Sequence, residues 1–296
     1  MLNQERSFSG SFNLFEVLRY LFDFFVFTSL FITVCALLMT YQTALLFNVP
    51  VSFNLMGFIA SGTICSYNFH WYLTPPDIPH PSVKLKWNIA NRPIHLLLFI
   101  IGLIAAVYFT FMLRNHWFWL CVTAFLTFMY SAPKMSFPFF VKLRKVAIAK
   151  TIFLAFAWAH VTSLLPVVTM VKEVGAQHIW FLVNRFFYIY AICIIFDFRD
   201  VEKDREAGIK SLITFLNEKG IDRLFWFSLA VFTITLVILL QWITPAEAFV
   251  LFFPGIIVAL LYYPSKTNYS DYLYYFILDG LMMLSAPFLI LIKFAR

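Results

Sequence analysis

The chain has 296 residues, 62% of them hydrophobic and 12% charged, with a formal net charge of +7. So apolar a composition excludes an ordinary soluble domain, and the sparse charge gives no reason to invoke nucleic acid. The apolar runs are long and continuous. They lack the alternating segments of about ten residues that build a membrane barrel, so an all-α polytopic membrane protein is expected.

Residues 1–20 are polar to mixed and lack a short apolar core followed by a small-residue cleavage site, so no cleavable signal peptide is expected. From Phe24 to Pro76 there is no Asp, Glu, Lys or Arg, room enough for two spans of about 20 residues. Nine spans are expected in all, at about 20–41, 52–73, 94–113, 116–133, 147–170, 178–197, 223–243, 247–263 and 272–292. No linker or appended soluble segment interrupts them, so residues 1–296 form a single membrane domain.

Long polar loops at 73–93, 133–147 and 197–223 alternate with short ones at 41–52, 113–116 and 243–247, which places the working mouth on the long-loop side. With a cytoplasmic N-terminus, 17 of the 22 Lys and Arg residues fall on that side, and the C-terminus lies outside. The expected location is a bacterial inner (plasma) membrane, with membrane lipid rather than nucleic acid as the surrounding partner. The four cysteines sit in apolar spans with no CxxC spacing and read as small packing residues.

Five of the fifteen acidic residues lie between Asp197 and Glu206, directly after an apolar run. Asp197, Asp200 and Asp204 are spaced i, i+3, i+7, so a helix carries them on one face. Three carboxylates stacked in this way repel each other unless a cation lies between them. Mg²⁺ suits the position, because it takes oxygen ligands and keeps places open for phosphate oxygens. The competing reading is a solvated loop helix laced by pairs such as Glu202–Arg205. Against it, Asp197 abuts a membrane span, where ionisable residues tend to be functional. A faint internal echo accompanies the cluster. If Asn68 is set against Phe196, the three aspartates fall opposite Phe69, Tyr72 and Pro76.

The segment from Asp197 to Leu212 resembles the second aspartate-rich motif of the UbiA-type intramembrane prenyltransferases, roughly D-x-x-D-x-x-x-D-x-x-x-G-x-x-(S/T)-L followed by a glycine. Asp197, Asp200, Asp204, Gly208, Ser211 and Leu212 match in place, with Gly220 beyond. Asn91-Arg92-Pro93 resembles the family's R-P element. Tyr130-Ser131 and the run Lys142-Leu-Arg-Lys145 resemble its loop between helices four and five. A UbiA-like bundle of about nine helices with its polar side facing the cytoplasm is the architecture this resemblance implies. The family's first motif, N-D-x-x-D-x-x-x-D, is degenerate here. Asn68 is kept, but the aspartate positions hold Phe69, Tyr72 and Pro76. Asp77 lies one residue out of register behind Pro75-Pro76, and His70 is a second possible stand-in. Trp71 and Tyr72 read as interfacial aromatics.

The resemblance implies a membrane prenyltransferase that moves a prenyl group from a polyprenyl diphosphate to a hydrophobic acceptor, with Mg²⁺ held by Asp197, Asp200 and Asp204. Those aspartates are the expected catalytic and metal-binding residues, and Asn68, Arg92, Tyr130, Lys142 and Arg144 are expected to contact the diphosphate. With one aspartate triad missing, Lys and Arg would carry more of the leaving-group charge. Lys84, Lys86 and Lys145 also lie on that side but read first as orientation and headgroup charges. The alternative is a catalytically inactive member that binds an isoprenoid lipid or a partner enzyme. A transporter is disfavoured by the shortage of polar residues at membrane depth, where Arg185 and Asp279 are exceptions and Asp279 has no assigned role.

Overall fold

The computed structural model describes residues 14–76, 81–131, 148–171, 173–206 and 216–295, apart from the side chains of residues 130, 131, 148–150 and 200–206. Among the described residues every regular element is helical. The chain opens with α1 (Leu14–Phe27) and α2 (Leu30–Leu46), then α3 (Phe53–Tyr72), a short α4 (Val83–Ala90), α5 (Arg92–Met112) and α6 (Trp117–Ser131). Next, α7 (Ile148–Ala159) passes through a π-helical turn (His160–Leu164) into α8 (Leu165–Met170). The second half comprises α9 (Ala176–Glu206), α10 (Glu218–Leu239), α11 (Pro245–Ser265), a π-helical segment (Leu273–Leu278), α12 (Asp279–Met283) and α13 (Ser285–Phe294).

The local chemistry sets several of these starts. Ser52 and Ser82 accept from the backbone N–H groups of Leu55 and Leu85, and Thr244 with Glu247 closes a capping box at α11. Once begun, the helices hold because lipid offers their backbones no other hydrogen-bond partner.

Among the described residues six helices are long and apolar enough to cross a membrane, or seven if the bent pair α1–α2 is one span. The expected count of nine is therefore not reached by length and composition. Each expected span does coincide with a helix or a chain of helices, but two fall short. Among the described residues α6 has 15 residues, below the length needed. Helix α3 is long enough, but Ser61, Thr63, Ser66, Asn68 and His70 dilute its apolar character.

The first expected span, 20–41, is also a different object. It is broken into α1 and α2, which meet at an angle of 58°. Ser29 sits in the left-handed region at φ 69°, which a non-glycine residue adopts at a cost. At the acidic end, α9 continues to Glu206, so the expected loop at 197–223 begins as helix. The loop expected at 73–93 likewise contains α4.

The bundle is held by close backbone approach and by hydrogen bonds between helices. Gly102 of α5 lies against α3, and a Cβ added there would stand 2.8 Å from the Cys65 backbone nitrogen, so only glycine permits this crossing. Asn184 of α9 donates to the Phe232 carbonyl and the Thr235 hydroxyl of α10. Thr43 of α2 donates to the Thr162 carbonyl inside the π turn. Phe225 stacks on Tyr262 at 3.8 Å, tying α10 to α11.

Candidate functional site

Helix α9 delivers Asp197, Asp200 and Asp204 on a single uninterrupted helix, so their Cα positions share the face that the sequence spacing implies. Asp197 is half-buried, and its Oδ2 accepts a 2.6 Å hydrogen bond from the Thr151 hydroxyl of α7. Thr151 carried no signal in the sequence. Its hydroxyl fixes one carboxylate oxygen. Three hard oxygen donors at this spacing are chemically suited to Mg²⁺. Among the described side chains no group of three His, Cys, Asp or Glu residues occurs, and those of Asp200 and Asp204 are outside that description.

Beside Asp197 on the same helix, the Arg199 guanidinium lies over three rings, 4.6 Å from Tyr275, 5.1 Å from Tyr274 and 5.9 Å from Phe196. Tyr275 belongs to the π-helical segment. Its ring also packs edge-on to Trp71 of α3 at 5.8 Å. Helices α3 and α9 therefore face each other across Tyr275.

Lys84 of α4 enters the same place. Its Nζ stands 3.6 Å from the Tyr275 ring centre, 4.6 Å from Trp71 and 5.8 Å from Phe27. Lys84 is only 4% exposed. Burial pushes its ammonium down to about 7; Asp279 and Asp271 oppose the shift, while Arg199 adds to it. Asp271 also accepts a 2.7 Å hydrogen bond from the Lys84 backbone N–H, which pins α4 to the start of the last membrane segment. Lys84, Tyr275 and Asp279 thus gather beside the expected site without being among its expected residues. The only hint was that Asp279 is an ionisable residue at membrane depth.

The residues expected to bind diphosphate are differently placed. Asn68 is fully buried, and its amide donates to the Thr28 carbonyl at 3.1 Å and to the Ile64 carbonyl at 2.8 Å. Thr28 lies at the α1–α2 break, where its carbonyl has lost the helical partner it would otherwise have. Asn68 replaces that partner. With both donors committed, its Oδ1 accepts from His95 Nδ1 at 2.7 Å, while His95 Nε2 meets Asn88 at 3.1 Å.

Arg92 is exposed at the start of α5. Its Nε donates to the Tyr72 carbonyl at 3.2 Å, and its guanidinium covers the Tyr72 ring at 4.7 Å. Phe69 stacks on Phe99 of α5 at 4.9 Å. The aromatic residues that replace the first-motif aspartates at 69 and 72 are thus engaged with α5, while Trp71 contacts the Tyr275 side. Tyr130 lies in α6 with its side chain outside the description, and Lys142, Arg144 and Asp77 lie outside the described residues.

No family model matches this sequence, and no curated protein sequence matches it either. Two solved structures share its fold. The apo structure of a UbiA homolog from Aeropyrum pernix K1 superposes with a TM-score of 0.66 at 12% identity, over 88% of this chain and 98% of that one. A UbiA homolog from Archaeoglobus fulgidus, solved bound to GPP and Mg²⁺, superposes with a TM-score of 0.60 at 16% identity, over 90% of this chain and 99% of that one. The architecture is therefore the UbiA-type membrane bundle, reached with little sequence in common.

Proposed function

We propose that this chain is a membrane prenyltransferase that binds a prenyl diphosphate at the Asp197 end of α9 and passes the prenyl group to a hydrophobic acceptor. The observation that carries the reading is a continuous helix with Asp197, Asp200 and Asp204 on one face, placed within a UbiA-type bundle. The likeness in fold to a homolog solved with GPP and Mg²⁺ supports the substrate class. In the reaction, the allylic C–O bond breaks with its electron pair leaving on the diphosphate. The acceptor then bonds to the allylic carbon and gives up a proton. Mg²⁺ bound at the three aspartates would supply positive charge against the leaving group. Thr151 holds Asp197 in place, and the rings of Phe196, Trp71 and Tyr275 offer an apolar wall for an isoprenoid tail. On this reading the long-loop side is cytoplasmic, and Arg92, Tyr130, Lys142 and Arg144 surround the diphosphate.

The test is Mg²⁺-dependent release of diphosphate from a prenyl diphosphate by the purified protein. Asp200→Ala and Asp204→Ala are each expected to lower the rate by about a hundredfold or more. Unchanged rates in both variants would remove the assigned site.

A second reading, a binding protein without turnover, draws on the engagement of Phe69 and Tyr72 with α5, which leaves the first-motif positions without carboxylates. Retention of intact prenyl diphosphate over many hours, with no diphosphate released, would select it.

A further inference from the structure

We propose that α1 is an amphipathic helix docked on the bilayer surface, in the leaflet at the acidic end of α9, and not the first part of a membrane span. At 100° per residue, Leu14, Leu18, Leu21 and Phe25 fall on one face of α1 with Phe15 and Phe22 beside them, in an arc of about 120°. Leu14, Phe15, Leu18 and Leu21 are each more than half exposed. Glu16, Arg19 and Asp23 share the opposite side. A wide bare apolar arc set against a charged one is the pattern of a helix lying in the interface plane. A helix crossing the hydrocarbon would have to hold three charged residues in 14, which is costly at membrane depth.

The bend sets the placement. At 1.5 Å per residue α2 is about 26 Å long and α1 about 21 Å. Turned 58° from α2, α1 advances only about 11 Å along the α2 direction and about 18 Å sideways. With α2 upright the pair reaches past the ~30 Å hydrocarbon core, so α1 crosses the headgroup boundary at a shallow slope. Several contacts hold it there. Ser29 is left-handed, and Asn68 takes up the Thr28 carbonyl. Tyr272 donates a 2.6 Å hydrogen bond to Asp23, and the Phe24 ring lies 6.2 Å from Trp87 of α4. The last turns of α1 are thus tied down, while its first two turns stay largely exposed. Phe276, itself exposed, meets Phe22 edge-on at 5.0 Å. The apolar face of α1 therefore runs on into the outer surface of the last membrane segment, which identifies its occupant as phospholipid acyl chain. Headgroups and water cover Glu16 and Arg19.

Depth measurements on the full chain test this. Cys65→Ala and Cys121→Ala remove the two cysteines that are not buried. Single cysteines are then placed at Leu14, Glu16, Leu18, Arg19, Leu21 and Phe25 for spin labelling in phosphatidylcholine vesicles. Oxygen reports access from lipid, and a water-soluble nickel chelate reports access from water. Labels at Leu14, Leu18, Leu21 and Phe25 should favour oxygen and those at Glu16 and Arg19 nickel, so the ratio alternates with a period of about 3.6 residues. Leu18→Glu combined with Leu21→Glu should shift the Leu14 label into water and leave a label at Val34 of α2 in lipid. A ratio that changes steadily from 14 to 25 without alternation makes α1 part of the span. Nickel access at every position gives the face to a water-borne partner. Broadening between Leu18 labels that grows with the protein-to-lipid ratio gives it to a second copy of the chain. Each of these three results overturns the proposal.

Discussion

Helices α3 and α9 reach the same end of the bundle and face each other across Tyr275, but they arrive with opposite chemistry. The end of α9 is acidic, with Asp197 steadied by Thr151. The end of α3 is aromatic, and Asn68 there bonds the Thr28 carbonyl and meets His95. The cations beside α3 come from its neighbours, Lys84 of α4 over Trp71 and Arg92 of α5 over Tyr72. Asn68 serves the break between α1 and α2, and that break would need it whether or not a phosphate ever binds.

The largest effect expected from this contrast is on stability. Asn68→Leu leaves the Thr28 carbonyl and His95 without their partners and should cost about 3 kcal/mol, the sum of roughly two buried groups left unbonded. Thermal denaturation in detergent reads it directly. Normal thermal stability combined with lost diphosphate binding would make Asn68 a ligand after all and erase the difference between the two ends.

The next effect sharpens the picture at α4. Lysine in an unfolded chain titrates at about 10.4. Burial lowers Lys84 to about 7 in the folded protein. Between those values the native chain binds fewer protons than the unfolded one, so stability rises with pH across that window. Below about pH 7 the native state carries the buried ammonium at its full cost, with Asp271, Asp279 and Arg199 as the charged groups around it. Lys84→Met should therefore raise the Tm more at pH 6 than at pH 9. The reverse order would mean that the ammonium is well solvated.

The smallest effect concerns the α9 end. Thr151→Val keeps the shape of the side chain but removes the hydroxyl that holds Asp197. Mg²⁺ affinity, measured by calorimetry, is expected to fall about three- to tenfold, the scale of one hydrogen bond to a charged group, with little change in Tm. A drop in Tm with unchanged Mg²⁺ affinity would assign Thr151 to packing.

Much of the architecture was legible from residue order. The apolar runs marked the helices, and the aspartate spacing marked one face of α9, because both are properties of neighbouring residues. The break at Ser29 was not legible, since nothing in Phe27-Thr28-Ser29 marks a left-handed serine. Its consequence for Asn68 was hidden for the same reason. Arg92 was read as a phosphate contact from its resemblance to an R-P element, and its contacts with the Tyr72 ring and carbonyl could not be read from residue order. Lys84 was read as one of many orientation charges, because a buried lysine and an exposed one look identical in a sequence.

The sequence by itself therefore determined the membrane class, the helical composition and the existence of an acidic helix face, all of which depend on local hydropathy and period. Tertiary structure alone decided which polar groups satisfy one another. It set Asn68 against Thr28, Thr151 against Asp197, the Lys84 backbone N–H against Asp271, and the Lys84 ammonium over the Tyr275 ring. Hydrogen bonds act over a few ångströms, and charges act strongly only where water is excluded. Both conditions are created when distant helices pack, and neither is written in any one stretch of the chain.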